Sequence, residues 1–265
     1  MTPVPRDFFT QLWHKYCEDH VSILVSSLAY YTFFSFFPIL LLLASIIGFV
    51  YGTREESVQL PRQILDLLPF SSEIMTSALE RIIQARHSLG FFGSVLLIWS
   101  ATGAFDNLQQ ILNRIHRAPA MRPLWRRRLL GLLLGLILTL FIPLSIGISA
   151  IRPAPARTIA GIAFNFVLLL TLYHFGPSVR RRYRQVWPGA LAGAVLWEVS
   201  KALFGIYVGS LSVQQMAYGS IGSVIAVLLW LYVSGTIFAL GAEINFVIDG
   251  RRALARQGDA PGRRG

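Results

Sequence analysis

Two residues, Glu198 and Lys201, stand three apart in a stretch that is otherwise apolar or small, and Glu243 follows in the next such stretch. These are the side chains best able to do chemistry in a chain this apolar. A charge at the centre of a bilayer costs about 2.5–3.5 kcal/mol even on the mildest scale, so it persists only against a partner, a bundle interior or a wet cavity. An acid and an amine one helical turn apart suit a substrate path or proton coupling. The same (i, i+3) spacing also lets them pair within one helix, as an internal salt bridge that holds spans 5 and 6 together. Both readings stand at this point. Tyr31 and Ser35 continue a polar stripe begun by Ser27, and Pro38 should kink that span, so these residues could form an opposite wall. Tyr232 and Thr236 share a helical face with Gly235, Ala239 and Glu243. For Glu243, near the end of its span, the alternative is a capping or snorkelling carboxylate near Arg251.

The elements that must position these groups follow from composition. The chain is 54% hydrophobic and 14% charged, with mean hydropathy +0.56. Soluble domains are nearer a quarter charged. Residues 21–50, 129–151, 158–179 and 202–242 contain no charge at all, and the last run is too long for one element. About 20 such residues cross a bilayer as a helix. A β-barrel would instead alternate over segments of about ten residues. We therefore expect an all-α integral membrane protein with six transmembrane helices, at about 22–50, 88–106, 129–151, 158–177, 187–210 and 220–248. The polar residues 1–20 and the length of the first apolar run argue against a cleavable signal.

The net charge of +11 and pI near 10.5 could signal nucleic acid, but the charges are arranged for a membrane. On these spans, 17 of the 24 Lys and Arg residues fall on one side. The positive-inside rule places that side, with both termini, in the cytoplasm. The clusters at 126–128 and 180–182, flanked by Trp125 and Trp187, suit contact with anionic lipid headgroups at that face. Membrane lipids are thus the expected partners, with no nucleic acid.

Residues 1–21 read as a cytoplasmic amphipathic helix with Phe8, Phe9, Leu12, Trp13 and Tyr16 on its apolar side. The six-span domain occupies 22–250. Within it, 57–87 form an external amphipathic helical hairpin broken at Pro69, and 106–116 continue span 2 as a cytoplasmic helix. Residues 251–265 read as a basic disordered tail. Span 5 places Ala190, Ala194, Glu198, Lys201, Gly205 and Gly209 on roughly one face. Glu198 lies 11 residues beyond Trp187, about 16 Å at 1.5 Å per residue, near mid-bilayer.

Enzymatic chemistry finds little footing. The histidines, His14, His20, His87, His116 and His174, include no i, i+4 pair for a helical metal site. The single cysteine, Cys17, excludes an intrachain disulfide and a cysteine zinc site. There is no Walker loop, nucleophile elbow or HExxH motif. We expect no catalytic residues, metal or cofactor.

Four stretches carry a family resemblance: AYYTFFSFFP at 29–38, SATGAFDNLQQILNRI at 100–115, WPGALAGAVLWEVSKALFGIY at 187–207 and YGSIGSVIAVLLWLYVSGTIFALGAEIN at 218–245. In this order, over nearly the whole chain, they resemble the YihY/BrkB family of bacterial inner-membrane proteins. The resemblance implies six membrane helices and a cytoplasmic-membrane location. Some members are named ribonuclease BN, which makes a membrane-associated ribonuclease a remote alternative. The buried charges point first to a transporter or flippase-like protein for an envelope-related or anionic solute or lipid. A non-transporting structural role in envelope integrity, with the charges as glue between helices, is the other reading.

Overall fold

The structure, a computed structural model, describes residues 7–35, 105–119, 154–179, 181–211 and 215–258, together with positions 103, 123, 125–126 and 129–131. Every regular element among them is a helix. The expected external hairpin at 57–87, Pro38, nearly all of spans 2 and 3, and residues 259–265 lie outside the described residues.

Helix α1 (Phe8–Glu18) ends at Asp19. His20 then takes the left-handed conformation (φ 52°), which a histidine tolerates better than a β-branched residue would. That single residue turns the chain sharply into α2 (Val21–Ser35). Helix α3 (residues 105–115) ends in a Schellman turn. Arg117 is left-handed (φ 48°), its N–H bonds to Arg114 O at 3.1 Å, and Ala118 N–H reaches Asn113 O at 2.9 Å.

Three long helices follow: α4 (Ala154–Phe175), α5 (Tyr183–Leu211) and α6 (Gln215–Gly258). Helix α5 starts with a reciprocal cap: Arg182 N–H donates to Gln185 Oε1 at 2.9 Å and Gln185 N–H to Arg182 O at 2.8 Å. The Gln185 amide also donates to Asp249 Oδ2 at 2.8 Å, tying the start of α5 to α6. Pro188 lies inside α5 and cannot donate to the carbonyl of Arg184. Arg252 of α6 supplies the missing donor at 3.2 Å.

Among the described residues three segments are long and apolar enough to cross a membrane: Pro155–Phe175, Tyr183–Tyr207 and Val224–Ala253. They correspond to the fourth, fifth and sixth expected spans. The described part of the first, Val21–Ser35, is a shorter apolar helix. Helix α6 has 44 residues, about 66 Å, roughly twice the thickness of a hydrocarbon core. Its ends must therefore leave the membrane. It continues as helix through 251–258, which the sequence reading assigns to a disordered tail. Contacts explain the difference, since Arg251 Nε donates to Gln11 Oε1 at 3.0 Å and its guanidinium lies 5.6 Å from the Phe8 ring.

Helix α5 packs between α4 and α6, and α1 lies against α6. The best-buried residues, among them Val21, Val25, Ile111, Leu112, Ile115, Tyr173, Val186, Ala190, Ala194 and Ala242, gather at the end of the bundle where α1 sits. There the backbones of α5 and α6 nearly touch: a Cβ on Gly189 would fall 1.9 Å from Gly241 O. The Tyr173 hydroxyl donates to Phe238 O at 2.7 Å across the same junction. Starting beside it, Trp187, Leu191, Val195, Val199, Leu203 and Tyr207 form an exposed row along α5 at four-residue spacing, which winds about 40° around the helix at each step. Such a row suits lipid rather than water.

Candidate functional site

Among the described residues, acids and amines of the spans and of α1 come together in two places. The first lies within the spans. Lys201 Nζ contacts Glu198 Oε1 at 2.8 Å, with side chains 45% and 12% exposed respectively. Asn165 of α4 donates to the same Glu198 oxygen at 2.9 Å. Gly161, one turn before Asn165, makes room, since a Cβ there would lie 2.8 Å from Glu198 Oε1. The intrahelical pair anticipated from sequence is formed, but it links α5 to α4. The reading in which it holds spans 5 and 6 together is corrected by the Asn165 bond.

The second cluster sits where α1 meets α6. Lys15, an α1 residue that is only 7% exposed, pairs with Asp19 one turn on. Its Nζ lies 3.4 Å from Glu243 Oε2, on a side chain with no exposure at all. It also lies 4.1 Å from the centre of the Phe246 ring, a cation–π distance. The guanidinium of Arg117, itself paired with Glu18 at 3.0 Å, approaches that ring at 5.8 Å. Two carboxylates thus share one ammonium in a dry site. Glu243 does not join Glu198 and Lys201, and its expected partner Arg251 is engaged elsewhere, with Gln11.

The polar wall read around Glu243 is a docking surface for α1. The Tyr16 hydroxyl meets Thr236 and Tyr232, and Thr236 Oγ1 bonds back to Tyr232 O at 2.8 Å. Burial, reinforced by the Tyr232 hydroxyl, raises the Tyr16 pKa above the ordinary phenol value. Close by, His116 is buried and both ring nitrogens lack a hydrogen-bond partner among the described residues. Burial first, then the charges of Arg181 and Lys15, lower its pKa to about 3. It therefore stays neutral throughout the physiological range.

Tyr31 and Ser35 occupy a third location. Tyr31 is exposed and its ring covers Gly103, where a Cβ would lie 2.9 Å away. Ser35 is buried, with its hydroxyl donating to Tyr31 O at 2.7 Å. Ser27, on the same stripe, donates to Asn107 Oδ1 at 3.0 Å, so the upper stripe fastens α2 to α3.

Sequence reasoning passed over Lys15, Asn165 and the glycine contact. Lys15 carries no local sign of burial, because a lysine on an amphipathic helix ordinarily faces water. The glycines were findable: Gly189 and Gly193 form a small-xxx-small pair. Gly205, placed on the expected contact face, has nothing within 4 Å of a Cβ. Among the described residues no group of His, Cys, Asp and Glu is placed to hold a metal.

A family model described as virulence factor BrkB matches residues 12–264. The chain belongs to the BrkB family. Similar proteins named UPF0761 membrane protein occur in Xanthomonas campestris pv. campestris (strain B100) and Xanthomonas oryzae pv. oryzae (strain PXO99A). Each is 25% identical over 248 residues, covering 88% of this chain and 58% of the relative. The BrkB-family chain thus spans under two thirds of the length of those relatives. No solved structure gives a significant match. The BrkB family membership and the apolar helices agree that this is a bacterial membrane protein.

Proposed function

We propose that this BrkB-family protein spans the bacterial inner membrane six times, with both termini cytoplasmic, and moves an anionic solute or lipid connected with the envelope. The observation that carries this reading is the half-exposed, ion-paired side chain of Lys201 inside an apolar span. Lys201 lies six residues, about 9 Å, before the Tyr207 end of that segment. A lysine accommodating itself to lipid would snorkel toward the nearer end. Instead it turns back one helical turn to Glu198. One of its three N–H donors serves Glu198, and the surface it presents suits a wet path better than hydrocarbon. Glu198, held by Asn165, fixes the ammonium in place as a counter-charge for a passing anion.

A second reading is structural. Glu198 is engaged by both Lys201 and Asn165, which favours a polar clip between α4 and α5. Purified protein in proteoliposomes separates the two. Flux or bilayer translocation of an anionic substrate that is lost in a folded Lys201→Met variant supports transport. Equal flux in wild type, Lys201→Met and empty vesicles leaves only the clip.

A further inference from the structure

The junction of α5 and α6 at the α1 end holds a groove with about 570 Å³ of free space, bordered by Arg182, Arg184, Arg252, Trp187, Gln185 and Asp249. That volume is within the range of small-ligand sites. We propose that this groove is a binding site for the phosphate-bearing headgroup of one anionic lipid, with its acyl chains running down the exposed row of α5. The site is independent of whether the protein transports anything.

Charge is the first argument. Three guanidinia face a single carboxylate, and that carboxylate is already committed: Asp249 accepts from Arg181 Nη1 and from Gln185 Nε2, each at 2.8 Å. Among the described residues the guanidinia of Arg182 and Arg184 have no acceptor, and Arg252 gives one donor to Arg184 O. Planar guanidinium forks match phosphate oxygens in pairs.

Rigidity is the second. The backbone of Arg182 is fixed by its reciprocal cap with Gln185, which also holds Asp249, and the Arg252 guanidinium is drawn to α5 by the carbonyl that Pro188 leaves without a donor. The backbone that carries the arginines and one of the three guanidinia are thus fixed, and the side chains of Arg182 and Arg184 lie exposed at the rim of the groove.

Continuity with the apolar row is the third, and it selects a lipid over a soluble phosphate. Trp187 borders the groove and is the first residue of the exposed row that continues with Leu191, Val195, Val199 and Leu203. An indole at this level marks the boundary between headgroups and acyl chains. A molecule with a charged head and two apolar tails covers both surfaces, whereas inorganic phosphate covers only the first.

Native mass spectrometry of the intact protein from mild detergent tests this. The probes are phosphatidylglycerol, phosphatidylcholine with the same chains, and inorganic phosphate. We expect one retained phosphatidylglycerol, no equivalent retention of phosphatidylcholine, and no displacement by inorganic phosphate at equal concentration. Arg182→Gln/Arg184→Gln should weaken retention at least roughly tenfold, a change of one decade in Kd. Lysine at both positions should recover only part of it, because the charge returns without the fork. Arg126→Gln, a basic interfacial residue outside the groove, should leave retention unchanged, and an unaltered melting midpoint in each variant confirms folding. Equal losses from Arg126→Gln and the double variant would reduce the site to general attraction by the basic rim. No loss in the folded double variant, or displacement of the lipid by inorganic phosphate, would overturn the proposal.

Discussion

Two charged clusters among the described residues, each of lysine with acids, are made of similar residue types and differ in almost everything else. At Glu198 and Lys201 one acid meets one amine, an amide from α4 completes the acid, and the lysine side chain remains half-exposed. At Lys15, Asp19 and Glu243 two carboxyl groups meet one amine and all three are buried between α1 and α6. Under the proposed function, burial of charge alone does not mark a transport site. The deeper cluster is a dock for a helix. The pair that keeps surface is the one with capacity left for a ligand.

The largest effect should come from removing the amine of the buried cluster. Lys15→Met leaves Asp19 and the carboxyl of Glu243 buried without their basic partner, at a cost of about 3–5 kcal/mol. We expect loss of monodisperse protein in detergent, with partial recovery in Lys15→Met/Glu243→Gln. If Lys15→Met melts like wild type, the two regions are not different in kind.

His116 probes the same region by pH. Its folded pKa is about 3 against 6.5 when unfolded. Between those values the unfolded chain binds a proton that the folded chain does not, so stability falls as pH drops below 6.5. The slope is about 1.4 kcal/mol per unit. From pH 6.5 to 4.5 the melting midpoint should fall more steeply for wild type than for His116→Leu. Parallel profiles would mean that this end of the bundle admits water.

Glycine substitutions compare the two halves of α5. Gly189→Ala drives a methyl into a backbone carbonyl that cannot give way, and overpacking of this kind costs about 1–3 kcal/mol. Gly205→Ala meets open space and should leave the melting midpoint unchanged or slightly raised. The smallest stability effect belongs to Glu198→Gln, about 1 kcal/mol or less in detergent, because its partner is half-exposed and the amide still accepts from Asn165. A loss as large as that of Lys15→Met would make the pair a structural clip.

How far these features were readable from sequence depends on whether their cause is local. The apolar runs translate directly into α4 and α6, α5 forms despite Glu198 and Lys201, and the continuation of span 2 appears as α3, because length and apolarity decide a membrane helix. The Glu198–Lys201 pair was legible from its spacing alone. Lys15 with Glu243 was not, since those residues stand at opposite ends of the chain and no periodicity connects them. The docking of α1 changes what several residues mean. Tyr232 and Thr236 read as a polar lining and serve as a seat for Tyr16. Phe9 and Trp13, expected on one apolar face with Phe8, Leu12 and Tyr16, remain 79% and 70% exposed while the other three are partly buried. The helical course of 251–258 depends on Gln11, Phe8 and Arg184, contacts a local reading cannot supply.

The most direct test of the central claim is the water accessibility of position 201. In a Cys17→Ser background, which removes the only native thiol, Lys201→Cys and Leu203→Cys are reconstituted in proteoliposomes and exposed to a charged, membrane-impermeant thiol reagent. Only a thiol in contact with water ionises and reacts. We expect rapid modification at 201 and almost none at 203, on the apolar row two residues away. Equal resistance at both positions would contradict a wet path beside Glu198.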